Sequence, residues 1–247
     1  MIRFLENPNL PKGRVKAVIC GELCAELNGY LDLIGIERLV INPNIYMDPA
    51  VKYHADMSAL HIGKNKIVLS ENQQVLYTLL KERGFEVSFT SREIKGEYPD
   101  DIALNLTVIG DKILGKLSFA DETALGLCSD YSKIDVRQGY CKCSCLVVRD
   151  NALITDDESV YKIAVKNCLD CLLISKGDVL LPGHQYGFIG GASGKISENE
   201  VLFFGDITAH RDYKKIADFI EKHGCRIISL DIPLTDFGGI IPIIEEA

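Results

Sequence analysis

The side chains best able to do chemistry fall in a few short segments. In "HADMSALH", Asp56 and His61 flank the stretch Met57–Leu60, and His54 precedes them. A carboxylate and an imidazole near a strand lip can hold a cation or a guanidinium, or pass protons. A turn aspartate and a capped or surface histidine are the plainer account of the same residues. In "CKCSC", Cys141, Cys143 and Cys145 alternate. On a strand they share one face, with neighbouring thiols about 6–7 Å apart. Thiolates suit zinc, but structural zinc sites use Cys-x2–4-Cys pairs. Cys168 and Cys171 supply one such spacing. Core packing, for which a free cysteine is an ordinary small residue, is the preferred reading, and no metal is assigned.

Glycines concentrate in "YGFIGGASGK". Gly190 and Gly191 allow a backbone to approach a ligand, and Ser193 and Lys195 can contact an anion. The phosphate-loop spacing G-x4-G-K-[ST] is absent. A strand crowded against its neighbours explains the glycines equally well. In "GDITAH", Thr208 reads as a helix cap. Asp206 and His210 remain free to face a pocket. Asp236 stands in "TDFGG", inside the last apolar segment, Leu234–Ile243.

These groups need a scaffold, and composition bounds it. The 247 residues are 47% hydrophobic and 25% charged, as in an ordinary globular protein, and at this size one domain spanning 1–247 can bury a full core. The net charge of −8 and a pI near 5.2 come without a clustered basic face, which argues against a nucleic-acid partner. Met1–Leu10 is polar, with Asn7, Pro8 and Asn9 in it, so no signal peptide is expected there, and no apolar run reaches the ~18 residues of a membrane span. Nine cysteines then fit a reducing cytoplasm, with the residues as thiols. The first dozen residues and the last few are expected to lack order.

Along the chain one unit recurs: a hairpin, a helix, then a single strand. Lys66–Ser70, Glu71–Gly84 and Phe85–Ser91 form the clearest strand, helix, strand copy. Asn151–Asp157, Glu158–Cys168 and Leu169–Ser175 form another, and Glu200–Asp206, Ile207–Gly224 and Cys225–Leu230 a third. The hairpins place strands at Met57–Ile62, Ile102–Ile109, Cys143–Val148 and Phe188–Ile196. The first copy, Val15–Cys20 through Ile36–Ile41, lacks a hairpin strand, and Leu234–Ile243 is one to spare. The expected fold is therefore α/β, a propeller of five ββαβ repeats closed by the C-terminal strand, which removes exposed sheet edges. An open mixed α/β sheet is the alternative.

A fivefold ββαβ ring, with segments such as "NALITDDESVYKIA" and "YGFIGGASG", resembles the pentein superfamily. That group holds arginine and agmatine deiminases, amidinotransferases, dimethylarginine hydrolases and a non-enzymatic ribosome anti-association factor. The resemblance implies a cysteine nucleophile near the C-terminus, a histidine, and carboxylates that grip a guanidinium. No cysteine follows Cys225, so this chain resembles a branch without the C-terminal Cys motif. In such a branch Cys141 or Cys143 becomes a displaced nucleophile. Two functions follow. One is a hydrolase or transferase acting on guanidino or amidino compounds, without a cofactor, using Asp56, His61, Asp206 and Asp236 around an axial small-molecule pocket. The other is a non-catalytic binding protein of the same fold, holding a metabolite, a protein or a ribosomal partner.

Overall fold

In a computed structural model, which describes residues 1–94 and 96–247, four sheets share one pattern. An antiparallel hairpin leads into a helix, and a third strand returns parallel to the hairpin's second strand. They comprise β4 (Ala59–Gly63), β5 (Lys66–Leu69), α3 (Gln74–Glu82) and β6 (Glu86–Phe89); β7 (Thr107–Ile109), β8 (Lys112–Gly115), α4 (Glu122–Leu127) and β9 (Ser132–Asp135); β10 (Cys145–Arg149), β11 (Ala152–Thr155), α5 (Glu158–Lys166) and β12 (Asp170–Leu173); and β13 (Ser193–Ser197), β14 (Glu200–Phe203), α6 (Tyr213–Lys222) and β15 (Arg226–Ile228).

The remaining sheet joins both ends of the chain. It contains β2 (Val15–Cys20) and β3 (Glu37–Val40), linked by α1 (Ala25–Leu33), and takes β16 (Ile240–Glu246) as the antiparallel partner of β2, with Ile241 opposite Ile19. On the other side of β16 lies β1 (Ile2–Phe4). This strand falls where the sequence predicts disorder. The buried Glu245 explains its order: its carboxylate accepts the backbone N–H groups of Lys12 (2.6 Å) and Gly13 (2.8 Å) and pairs with Arg3 (3.0 Å).

The core is divided between neighbouring sheets. Ile19 and Ile243 meet Ile67 and Leu69 beneath Leu76 and Leu80 of α3. Leu60 and Val68 meet Val108 and Ile113. Leu114 meets Val147 and Leu153 beneath Val160 and Ala164 of α5. Val148 and Ile154 meet Val201 and Phe203 beneath Ile216 and Ile220 of α6. Leu202 meets Val18 and Ile240 beneath Leu27 and Leu31 of α1. Burying each such side chain contributes roughly 1.5–3 kcal/mol, which is enough to seat every helix on its sheets without disulfides.

Several strands start later than their apolar runs predict, and these shortfalls bear on function. Leu234–Ile243 does not run straight into the sheet. Asp236 precedes a turn in which Gly238 and Gly239 take φ of 78° and 68°, and only then does β16 begin. Residues 188–192 likewise form a turn ahead of β13. Met57 belongs to a four-residue helix, α2 (Ala55–Ser58), rather than to β4. Cys141 and Cys143 lie in a turn, in which Ser144 N–H bonds Tyr140 O (3.0 Å) and Cys145 N–H bonds Lys142 O (3.2 Å). Only Cys145 is in a strand, so the three thiols do not line one face. The segment 207–224 splits into a 3-10 turn, Ile207–Ala209, and α6. Asp206, not Thr208, caps that turn, accepting Thr208 N–H (2.9 Å).

Candidate functional site

The turns that shorten these strands meet at one floor. His54 and Asp56 stand at the entry to α2, Cys143 in the turn before β10, and Asp236 in the turn before β16. A ligand atom from each of His54, Asp56 and Cys143 lies within 4.8 Å of the others. His54 Nδ1 is 3.7 Å from Asp236 Oδ1. All four side chains are buried.

The backbone sets this geometry. Asn105, itself fully buried, accepts the N–H of Lys142 (2.7 Å) and of Cys143 (3.3 Å) and donates to Cys143 Sγ (3.0 Å) and to Asp56 O (3.2 Å). One amide thus ties the α2 segment to the cysteine turn. Gly191 makes the other tie. Its N–H bonds Cys143 O (2.9 Å), and its O accepts Phe237 N–H (3.0 Å) and Gly239 N–H (2.8 Å). Gly190 is required by close approach, because a Cβ there would lie under 3.0 Å from the carbonyl oxygens of Lys142, Cys143 and Cys145. Asp236 is fixed by the N–H of Gly238 on Oδ1 (2.9 Å) and of Phe188 on Oδ2 (2.9 Å).

The floor is charged but poorly satisfied. Neither oxygen of Asp56 nor His54 Nδ1 has a hydrogen-bond partner among the described residues. Burial pushes the Asp56 carboxyl up to about 6, against the pull of His54 and Lys142. Burial, together with the charges of Asp56 and Asp236, holds the Cys143 thiol well above its ordinary value. Two buried acids beside a protonated thiol make a setting that a further positive charge would stabilise.

Above the floor opens a cavity of about 690 Å³, which His54, Cys143 and Asp236 line. Its size and mixed lining are those of a small-molecule pocket. An aromatic wall runs from Tyr98 to Tyr140 (5.6 Å between ring centres), from Tyr140 to Phe188 (6.2 Å) and from Phe188 to Tyr186 (6.1 Å). Asp48, Glu97 and Asp101 add carboxylates. Tyr140 donates to Asp101 (2.8 Å), whose carboxyl burial raises, and His184 faces Asp48 at 3.4 Å. Aromatic faces and carboxylates both attract cations.

Of the residues singled out from sequence, Asp56, Cys143 and Asp236 come together, with His54 from the same segment as Asp56. His61 does not join them: its Nε2 is bonded to Lys64 O (3.0 Å), and it borders a separate cleft of about 10 Å³. Cys141 faces Thr107 (3.4 Å) inside the core shared with Cys145. Asp206 is occupied as a cap. Ser193 donates to Ile189 O (2.6 Å), and His210 Nδ1 accepts Asp212 N–H (3.0 Å), so neither faces the cavity. Lys195 is buried on Val148 O (2.9 Å) and Glu198 O (2.6 Å). Gly190 and Gly191 act as close-packed joints of the floor. Asn105 and the aromatic wall were not read from sequence. The one available signal was the flanking of the cysteine and glycine segments by Tyr140, Tyr186 and Phe188.

Comparison with solved structures places the fold. The chain is similar to an amidinotransferase of the saxitoxin biosynthetic pathway from Microseira wollei, at 12% identity and a TM-score of 0.62, over 99% of this chain and 97% of the other. It is similar to inosamine-phosphate amidinotransferase from Streptomyces griseus, at 12% identity and a TM-score of 0.61, over 98% and 97%. It is also similar to agmatine deiminase from C. jejuni, at 13% identity and a TM-score of 0.53, over 94% and 90%. These are pentein proteins, and the fold of this chain is theirs. The sequence matches no curated protein. Residues 18–241 match the family of unknown function DUF6873, and the chain belongs to that family.

Proposed function

We propose that this protein is a hydrolase or transferase acting on a guanidino or amidino compound, with Cys143 as its nucleophile. The observation that carries the reading is the convergence of Cys143, His54, Asp56 and Asp236 at the floor of an acidic, aromatic-walled cavity. A guanidinium brings its positive charge to Asp56 and Asp236. The arrival of that cation favours the charged forms of both Asp56 and Cys143. Asp56 takes the thiol proton, and the thiolate sulfur attacks the guanidinium carbon. An S–C bond forms, and a C–N bond breaks as the leaving nitrogen takes the proton that Asp56 received, relayed through His54. Water or an acceptor amine then attacks the same carbon, the S–C bond breaks, and the proton of the attacking group returns through His54 and Asp56 to the Cys143 sulfur. Asp236 retains lone pairs beyond its two backbone bonds to receive the N–H fork.

The same reading takes the five sheets as ββαβ units of a closed ring around the cavity, forming one domain over 1–247. The antiparallel pairing of β16 with β2 and the five shared cores support it. The nine free cysteines suit a reducing cytoplasm. Incubation with arginine, agmatine and methylarginines, assayed for ureido product and for amidino transfer to a primary amine, tests the activity. Turnover lost in Cys143→Ser is expected. Turnover that survives this change would assign the chemistry elsewhere.

A specific observation favours a second reading, a non-catalytic receptor for the same cation. The Cys143 thiol is held protonated by burial and by two neighbouring acids, and β16, Ile240–Glu246, carries no cysteine. Saturable binding of agmatine or arginine without product supports the receptor.

A further inference from the structure

We infer that His54, Asp56 and Cys143 form a binding site for a zinc-type divalent metal ion. The inference rests on the geometry of the floor and does not depend on catalysis. Three kinds of donor meet there: an imidazole nitrogen, a carboxylate oxygen and a thiol sulfur, mutually within 4.8 Å. Tetrahedral ligands at zinc distances stand about 3.3–3.8 Å apart, so binding requires the three groups to draw in by only about an ångström. Both Asp56 oxygens and His54 Nδ1 are buried and lack hydrogen-bond partners among the described residues. A buried carboxylate without a hydrogen-bond partner, beside an imidazole whose Nδ1 has Asp236 at 3.7 Å but no hydrogen bond, costs free energy that a cation would return.

The donor set selects the metal. Thiolate with imidazole suits zinc or cobalt(II) and disfavours magnesium and calcium, which want oxygen alone. Asn105 and Asp236 brace the site from outside. Asn105 donates to Cys143 Sγ (3.0 Å), and Asp236 stands 3.7 Å from His54 Nδ1 with both oxygens already engaged by backbone N–H groups. Three protein ligands leave a fourth position, and His54 and Cys143 both line the cavity through which water or a ligand would reach it. On binding, the Cys143 thiol gives up its proton to solvent as the sulfur–metal bond forms. An ion here and a guanidinium draw on the same thiolate and carboxylate and exclude one another.

Titration of the chelator-treated protein with Co2+, followed by Zn2+ displacement, tests the site without any substrate. The expected result is one ion per chain at micromolar or tighter affinity. Tetrahedral cobalt bands and a thiolate-to-cobalt charge-transfer band should appear, and the latter should vanish in Cys143→Ser. His54→Ala should weaken binding at least tenfold, and Cys141→Ser should leave it unchanged. Mass mapping of alkylated cysteines gives an independent reading, since bound Zn2+ should protect Cys143 in the wild-type protein. No binding at tens of micromolar, or a charge-transfer band retained in Cys143→Ser, overturns the site. Failure of the titration leaves the turnover assay above untouched, and the reverse also holds.

Discussion

Asn105 and Cys143, 38 residues apart in the chain, are joined twice. The Asn105 amide nitrogen donates to Cys143 Sγ (3.0 Å), and its oxygen accepts Cys143 N–H (3.3 Å) as well as Lys142 N–H (2.7 Å). A fully buried side chain thereby holds the turn that points Cys143 at the cavity. Asn105→Leu keeps the volume but leaves two backbone donors unpaired, and each costs about 1–3 kcal/mol. We expect a stability loss of about 2–4 kcal/mol by chemical denaturation. Turnover should also fall in Asn105→Asp, which keeps the acceptor and loses the donor to sulfur. A variant with wild-type stability would show that the turn is held by its own backbone bonds.

Cys143 and Asp236 have separable effects under the proposed chemistry. Cys143→Ser should lower kcat at least about a thousandfold, because it removes the atom that forms the covalent bond. Asp236→Asn keeps the shape of the carboxylate and loses one charge at the guanidinium fork. A charge-assisted hydrogen bond is worth about 1.5–3 kcal/mol, so KM should rise about ten- to a hundredfold, with kcat less affected. Steady-state kinetics with the best of the guanidino substrates separates the two. Equal loss of kcat and binding in both variants would argue that Asp236 only holds the Phe188 and Gly238 turn.

The sequence announced most of the hairpins and helices because they combine an apolar period with Gly or Asp punctuation, as at Gly84 and Asp157; the six-residue α4 was poorly marked. It misjudged where strands begin at Met57, Ile102, Cys143, Phe188 and Leu234. An apolar run continues through a turn when that turn is buried, and composition alone cannot show the bend. Those buried turns are where the floor of the cavity is built. Asp56, Cys143 and Asp236 were legible as chemistry-bearing types at strand ends. The distinction between Cys143 and Cys141 was not, since it depends on a turn held by Asn105 from the loop ahead of β7. His61 was misread for a local reason: the turn of its own hairpin engages it through Lys64 O, away from the cavity.

Gly190 supports a prediction about packing. A methyl group there would press on the carbonyl oxygens of Lys142, Cys143 and Cys145. Those oxygens belong to the turn that carries the thiol, so the turn must move or the glycine segment must. Overpacking of this kind costs about 1–3 kcal/mol. Gly190→Ala should lower Tm and, among folded molecules, reduce ligand binding. Gly126→Ala, where a Cβ meets nothing within 4 Å, should leave both intact or raise stability slightly. A Gly190→Ala protein with normal melting and normal binding would refute the role of this glycine as a joint.

Asp156 predicts how stability depends on pH. It follows β11, is buried, and has an Oδ1 without a hydrogen-bond partner among the described residues. Burial pushes its carboxyl up to about 8 from an ordinary 3.8, against the opposing pull of Lys176. Below about pH 4 the folded and unfolded chains both hold the proton, and the stabilising contribution is complete. Between pH 4 and 8 the unfolded chain releases the proton while the folded chain retains it. Stability from this residue therefore falls as pH rises through that window, by at most about 1.4 kcal/mol per pH unit. Asp156→Asn stays neutral at every pH and should remove that slope. Denaturation midpoints of the two proteins, measured from pH 4 to 8, should diverge steadily in favour of the variant as pH increases. Parallel curves would mean that Asp156 is charged in the folded protein, with Lys176 or bound water compensating its burial.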